Sequence, residues 1–126
     1  MSTTVEAPCG ANLSIVVGTL ARQPERRDLP SGDTVLELEV VVRSGLGPAE
    51  TVPVCWYGAP AAAERWLSGE PILVTGRTRR RFFRSGPSTQ ARTEVVAAVA
   101  MPLRRAAAAR AALEAAAGEV LGALDP

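Results

Sequence analysis

Residues 50–76 read ETVPVCWYGAPAAAERWLSGEPILVTG. The stretch divides into strand, helix and strand. From Glu50 to Tyr57, Val52, Val54 and Trp56 face one way, while Thr51, Pro53, Cys55 and Tyr57 face the other. Pro53 cannot donate to a ladder, so this strand has an exposed or irregular edge there. Gly58 ends it. Pro60 to Leu67 then predicts a short helix, with Pro60 in the first turn and Ser68-Gly69 as the stop. Pro71 opens the longest strand, which runs to Phe83. A single helix set between two strands of a β-rich chain is the arrangement that decides the fold.

Outward from this stretch, Asn12–Leu20 is β-rich, and Gly18 within it predicts a bulge or sharp bend. Ala21–Asp33 is a loop, marked by Gln23-Pro24-Glu25 and Leu29-Pro30-Ser31-Gly32-Asp33. Thr34–Arg43 is a strand with Leu36, Leu38, Val40 and Val42 on one face and Glu37 and Glu39 on the other. Ser44–Ala49 is a short loop. After a Gly86-Pro87 turn, Gln90–Met101 returns as the last strand. Five strands with a helix between the third and fourth describe an all-β, five-stranded OB-fold, a Greek-key barrel that binds oligonucleotides on one face. The expected organisation is a flexible segment over 1–11, the barrel over 12–102, and an Ala-rich helical extension over 103–126. In that extension Leu113, Val120 and Leu124 share a stripe, with Ala109 and Ala116 nearby. The stripe fits packing on the barrel, on a subunit or on a partner, and equally a solvated tail.

The chain has 126 residues, one domain's worth, of which 47% are hydrophobic and 21% charged. It has no histidine, and all 14 of its basic residues are arginine. A histidine base, a histidine metal site, a P-loop lysine and a Schiff-base lysine are therefore excluded. No nucleophile–base pair is visible, so no catalytic residue, cofactor or metal is expected, and Glu37 and Glu39 carry no reaction. Cys9 and Cys55 are far apart, lack a disulfide pattern and read as idle thiols. The first residues lack the basic end and apolar stretch of a signal peptide, and no apolar run is long enough to span a membrane. A cytoplasmic, nucleoid-associated protein is expected. With a net charge of +1, any site for a polyanion must be a local patch.

That patch is Thr75–Gly86, TGRTRRRFFRSG. Alternation places Arg77, Arg79, Arg81 and Phe83 on one face, and Thr78, Arg80 and Phe82 on the other. Five arginines with two aromatic rings suit phosphates and exposed bases, which makes single-stranded nucleic acid the first ligand to consider. The competing reading is a solvated hairpin whose arginines pair with Glu37, Glu39 and Glu94.

The order of these motifs resembles the bacterial single-stranded DNA-binding protein family over residues 12–101. Asn12–Leu20, Gln23-Pro24-Glu25-Arg26-Arg27 and Pro30-Ser31-Gly32 resemble its opening strand, turn and hairpin. Trp56-Tyr57-Gly58, Ala63-Glu64 and Leu67-Ser68-Gly69 resemble its third strand and helix. Val74-Thr75-Gly76-Arg77 and Arg92-Thr93-Glu94-Val95-Val96 resemble its last two strands. The resemblance implies sequence-tolerant single-stranded DNA binding in replication, repair or recombination, with RNA left open. Tyr57 and Phe83 would stack bases, and Arg77, Arg79, Arg80, Arg81 and Arg84 would neutralise phosphates. Trp56 falls on the core face. The resemblance also implies a homo-oligomer, dimer or tetramer.

The chain departs from the family where Leu46 and Thr51 occupy the positions of two stacking tryptophans, and where Glu37 and Glu39 would repel phosphate. The family's acidic tip, which recruits repair enzymes, has no counterpart in Gly122-Ala123-Leu124-Asp125-Pro126, so that recruitment is not expected. A divergent paralogue is implied. The alternative is an OB-fold assembly or interaction protein with weak or no DNA binding, acting through its oligomer interface or helical tail.

Overall fold

The structure is a computed structural model and describes residues 10–125; Cys9 and most of the expected 1–11 segment lie outside them. Six strands form one sheet: β1 (Ser14–Leu20), β2 (Glu25–Asp28), β3 (Thr34–Val42), β4 (Glu50–Tyr57), β5 (Pro71–Ser85) and β6 (Ser88–Pro102). Their order is β1-β5-β6-β4-β3-β2, and a further β1–β3 pairing closes five of them into a ring. The barrel is an OB-fold, built from the five strands the sequence predicts.

The sixth strand, β2, lies within the expected loop and extends the edge of β3 over Thr34–Glu37. All four of its residues, Glu25-Arg26-Arg27-Asp28, are exposed, so no apolar alternation marked it. Its signal is electrostatic: Arg27 Nη2 lies 2.9 Å from Glu37 Oε1 on β3.

Closure depends on two close approaches. β1 pairs with β5 from Ser14 to Thr19 and with β3 at Thr19 and Leu20, so it turns from one neighbour to the other. Gly18 sits at that turn, where a Cβ would meet the Val41 carbonyl oxygen. β5 and β6 shift register between Thr75 and Gly76, and a Cβ on Gly76 would meet the Val96 carbonyl oxygen. The bend and the bulge let the strands curl far enough to meet.

The core holds Leu20, Leu36, Leu38, Val40, Val54, Ile72 and Val74, with Trp56 and Trp66 stacked at a 5.9 Å centroid separation. The predicted helix over 60–67 is instead a 3-10 helix at Ala61–Arg65. Its bonds run from Ala63 N to the Pro60 carbonyl and from Trp66 N to the Ala63 carbonyl. Trp66 then returns to an extended conformation and drops its ring onto the core. Five residues between a proline and that anchor leave no room for an α-helical ladder.

The helix α1 (Ala106–Leu124) lies against β5 and β6. Ala109 packs with Leu73 and Met101, Ala112 lies beside it, and Ala116 is buried. Small side chains let the helix approach closely, while Leu113, Leu121 and Leu124 remain exposed. No helix among the described residues is long and apolar enough to cross a membrane.

Candidate nucleic-acid interface

β5 and β6 outrun the barrel. β1 accompanies β5 only to Gly76, and β4 accompanies β6 only at Val95 and Val96. Beyond Thr78, which Asn12 still holds by two hydrogen bonds, Arg79–Ser85 and Ser88–Glu94 form a free two-stranded ribbon, closed by a two-residue turn in which Gly86 supplies the left-handed conformation at φ 63°. Because partners opposite each other share a face, the register assigns both faces of the ribbon. One face, here the front, carries Arg79 opposite Glu94, Arg81 opposite Arg92 and Phe83 opposite Gln90. The reverse carries Arg80 opposite Thr93, Phe82 opposite Ala91 and Arg84 opposite Thr89.

The front face is organised by Glu94, whose side chain is 1% exposed. Its Oε2 accepts hydrogen bonds from the Cys55 thiol and from Arg79 Nη2 at 3.1 Å. Arg81 Nε lies 3.0 Å from Oε1, close enough for an ion pair although its N–H is not aimed at the oxygen. Arg79 Nη2 also donates to the Tyr57 hydroxyl at 3.1 Å, and its guanidinium stands 5.6 Å from the Tyr57 ring centre. The Arg81 guanidinium stands 5.9 Å from the ring of Phe83. Tyr57, Arg79, Arg81 and Phe83 thus form one line, two cations with a ring at either end, pinned from below by a single carboxylate. Both rings reach solvent, Tyr57 at 43% and Phe83 at 38% exposure.

The electrostatics follow from burial and from these contacts. Burial alone would raise the Glu94 carboxyl; the hydrogen bonds from Cys55 and Arg79 and the charges of Arg81 and Arg79 outweigh it and hold the carboxyl below the ordinary glutamate range. The Cys55 thiol is pushed up to about 11 by burial, by its hydrogen bond to Glu94 and by that carboxylate's charge. It is a neutral donor, not a reactive thiolate.

The predicted site residues divide. Tyr57, Arg79, Arg81 and Phe83 come together. Arg77 shares their face by alternation but stands at the foot of the ribbon, beside Ala112, Ala116 and Glu119 of α1. Arg80 and Arg84 lie on the reverse face. Of the three carboxylates set against the arginines, only Glu94 takes them. Glu37 pairs with Arg27, and Glu39 with Arg22 at 3.4 Å, so neither outward carboxylate stands as an unpaired charge. Leu46, in the β3–β4 loop, is 94% exposed, and Thr51 is exposed on β4. Reading residue by residue missed the organising role of Glu94 with Cys55, and it passed over Arg92. Counting outward from the Gly86-Pro87 turn would have set Glu94 opposite Arg79 and Arg92 opposite Arg81.

No protein-family profile matches the chain, and no curated protein matches it by sequence. Among solved structures it is similar to a deletion variant of the single-stranded DNA-binding protein from Thermus aquaticus. The TM-score is 0.60 at 25% identity, over 73% of this chain and 40% of that one. The chain therefore spans about two fifths of the length of the protein it matches. In fold it is a member of the OB-fold group that includes this bacterial single-stranded DNA-binding protein.

Proposed function

We propose that this protein binds single-stranded DNA, without strong sequence preference, on the front face of the β5–β6 ribbon and the adjoining end of β4. The observation that carries the proposal is the line Tyr57–Arg79–Arg81–Phe83, set on a fold shared with a single-stranded DNA-binding protein. Rings stack on any base, and guanidinium groups meet the phosphates between bases, so the array tolerates sequence. Arg79 and Arg81 share the charge of Glu94 while their side chains stay partly exposed, and Arg92 adds a cation among them. The role is binding rather than catalysis, in cytoplasmic DNA replication, repair or recombination. The exposed Ile15 and Val17 of β1, with Leu113, Leu121 and Leu124 of α1, favour association of copies into a homo-oligomer.

The test is fluorescence-anisotropy titration of a labelled ~35-nucleotide oligo-dT, several OB site sizes long, at low and moderate salt. Wild-type protein should bind, and affinity should fall as salt rises. Phe83→Ala should weaken binding roughly 5- to 100-fold with little change in salt slope. Arg81→Ala should flatten the slope by about 0.7, one phosphate contact. Absence of binding at low salt would refute DNA binding and leave assembly through β1 and α1 as the function. Binding that neither substitution alters would move the site elsewhere.

A further inference from the structure

We infer that the reverse face of the ribbon is a second binding platform for the same single strand, with Phe82 as its stacking ring. This rests on the front-face function proposed above. Phe82 is 66% exposed and stands on a free two-stranded ribbon, away from the core. The Arg80 guanidinium lies 5.6 Å from its ring centre, repeating on this face the cation–ring pair that Arg81 and Phe83 make on the other. Arg84 follows on the same face, and Thr93, Ala91 and Thr89 lie opposite. No carboxylate stands on this face of the ribbon. Arg80 and Arg84 form no ion pair among the described residues, whereas Arg79 and Arg81 share Glu94. The reverse face is thus the one on which neither cation is held in an ion pair by the protein.

The geometry connects the two faces. From Arg79 to Ser85 the ribbon extends ~20 Å at about 3.3 Å per residue. Phe82 and Phe83 are neighbours in sequence and point to opposite sides, three and two residues short of the Ser85–Ser88 closing pair. A strand that follows the front face to Phe83 meets the tip next, and a strand long enough to pass over the tip reaches Phe82. A segment that stops at Phe83 does not. A free two-stranded ribbon is marginally stable in water. Its front is held by Glu94, and a bound strand would hold its back. The predicted ligand is a single strand that wraps the ribbon, so occupancy of Phe82 must depend on strand length.

The experiment titrates wild type, Phe82→Ala and Phe83→Ala with oligo-dT of ~8 and ~35 nucleotides, lengths within and well beyond one OB site. Phe83→Ala should weaken both. Phe82→Ala should weaken only the long oligonucleotide, roughly tenfold. The Arg80→Ala, Arg84→Ala double variant should flatten the salt slope for the long oligonucleotide by about 1.4 and leave the short one unchanged. Long-strand affinity unchanged in Phe82→Ala, while Phe83→Ala weakens it, would overturn the second platform and leave the front-face function standing. Equal losses on short and long strands would place Phe82 within the front site and also overturn it. A change in oligomer size in Phe82→Ala by sedimentation, with DNA affinity intact, would assign the ring to a protein contact. Failure of wild type to bind either oligonucleotide would remove both proposals.

Discussion

At Glu94 two hydrogen-bond donors, Cys55 and Arg79, and the second guanidinium of Arg81 converge on a carboxylate that has almost no contact with water. A lone buried carboxylate costs several kcal/mol, and here two guanidinium groups and a thiol offset that cost. Because its folded proton affinity lies below the ordinary glutamate value, the unfolded chain takes up the proton first, and protonation favours unfolding. Its contribution is complete above about pH 5. It falls as pH drops below the ordinary value of about 4.3, and it is gone below the lowered folded value. Glu94→Gln should cost roughly 1–3 kcal/mol at pH 7. That is less than the ~3–5 of breaking a fully buried pair, since Arg79 and Arg81 still reach solvent. Urea midpoints for wild type and Glu94→Gln, measured from pH 7 down to pH 3, should converge at the acid end. A gap that stays constant with pH would mean the carboxylate's charge is not what holds the cluster.

At the scale of elements, the β5–β6 hairpin does two jobs: its lower half closes the barrel and its upper half leaves it. The change of role falls at the Thr75–Gly76 shift, where β5 crosses closest to β6. Gly76→Ala places a methyl group against the Val96 carbonyl, between backbones that both belong to ladders. We expect a loss of roughly 1–3 kcal/mol, read by denaturant unfolding. An unchanged midpoint would show that the strands can separate there freely. Of the five barrel strands, β3 and β4 were legible through apolar alternation of period two, as Leu36, Leu38 and Val40 show, and β1, β5 and β6 through apolar, β-branched runs bounded by turn residues. β2 was not, because Glu25-Arg26-Arg27-Asp28 buries nothing and borrows its conformation from β3. Trp56 was legible as a core residue, but the 3-10 form of the element before Trp66 was not, since helix type depends on where that second tryptophan must land. The aromatic and arginine members of the front face could be picked out by residue type. Glu94 could be reached only by counting the register out from the hairpin turn, and Cys55 not by residue type at all, because its thiol meets Glu94 only once β4 lies beside β6.

For the whole molecule, the net charge of +1 conceals a strong asymmetry. The ribbon and its foot, residues 77–94, hold six of the 14 basic residues and one of the 13 acidic ones. The rest of the chain is acidic by four charges. A polyanion is therefore drawn to the ribbon and repelled by the body, and the body's repulsion reaches the ribbon less as salt shortens the Debye length to ~8 Å at physiological ionic strength. Six unencumbered phosphate contacts would give a slope of about −4 for log affinity against log salt, at ~0.7 each for a single strand. Glu94 already holds part of the charge of Arg79 and Arg81, and screening of the acidic body works against the loss, so we expect a slope nearer −3. Glu94→Gln frees both arginines and should steepen the slope toward −4. Anisotropy titrations of both proteins with the long oligonucleotide from 20 to 300 mM NaCl measure the difference. A steeper slope would establish that the carboxylate beneath the rings limits how strongly the ribbon's charge acts on DNA. Identical slopes would mean that Glu94 does not limit the ribbon's charge, and that Arg79 and Arg81 contribute equally to the salt dependence with or without it.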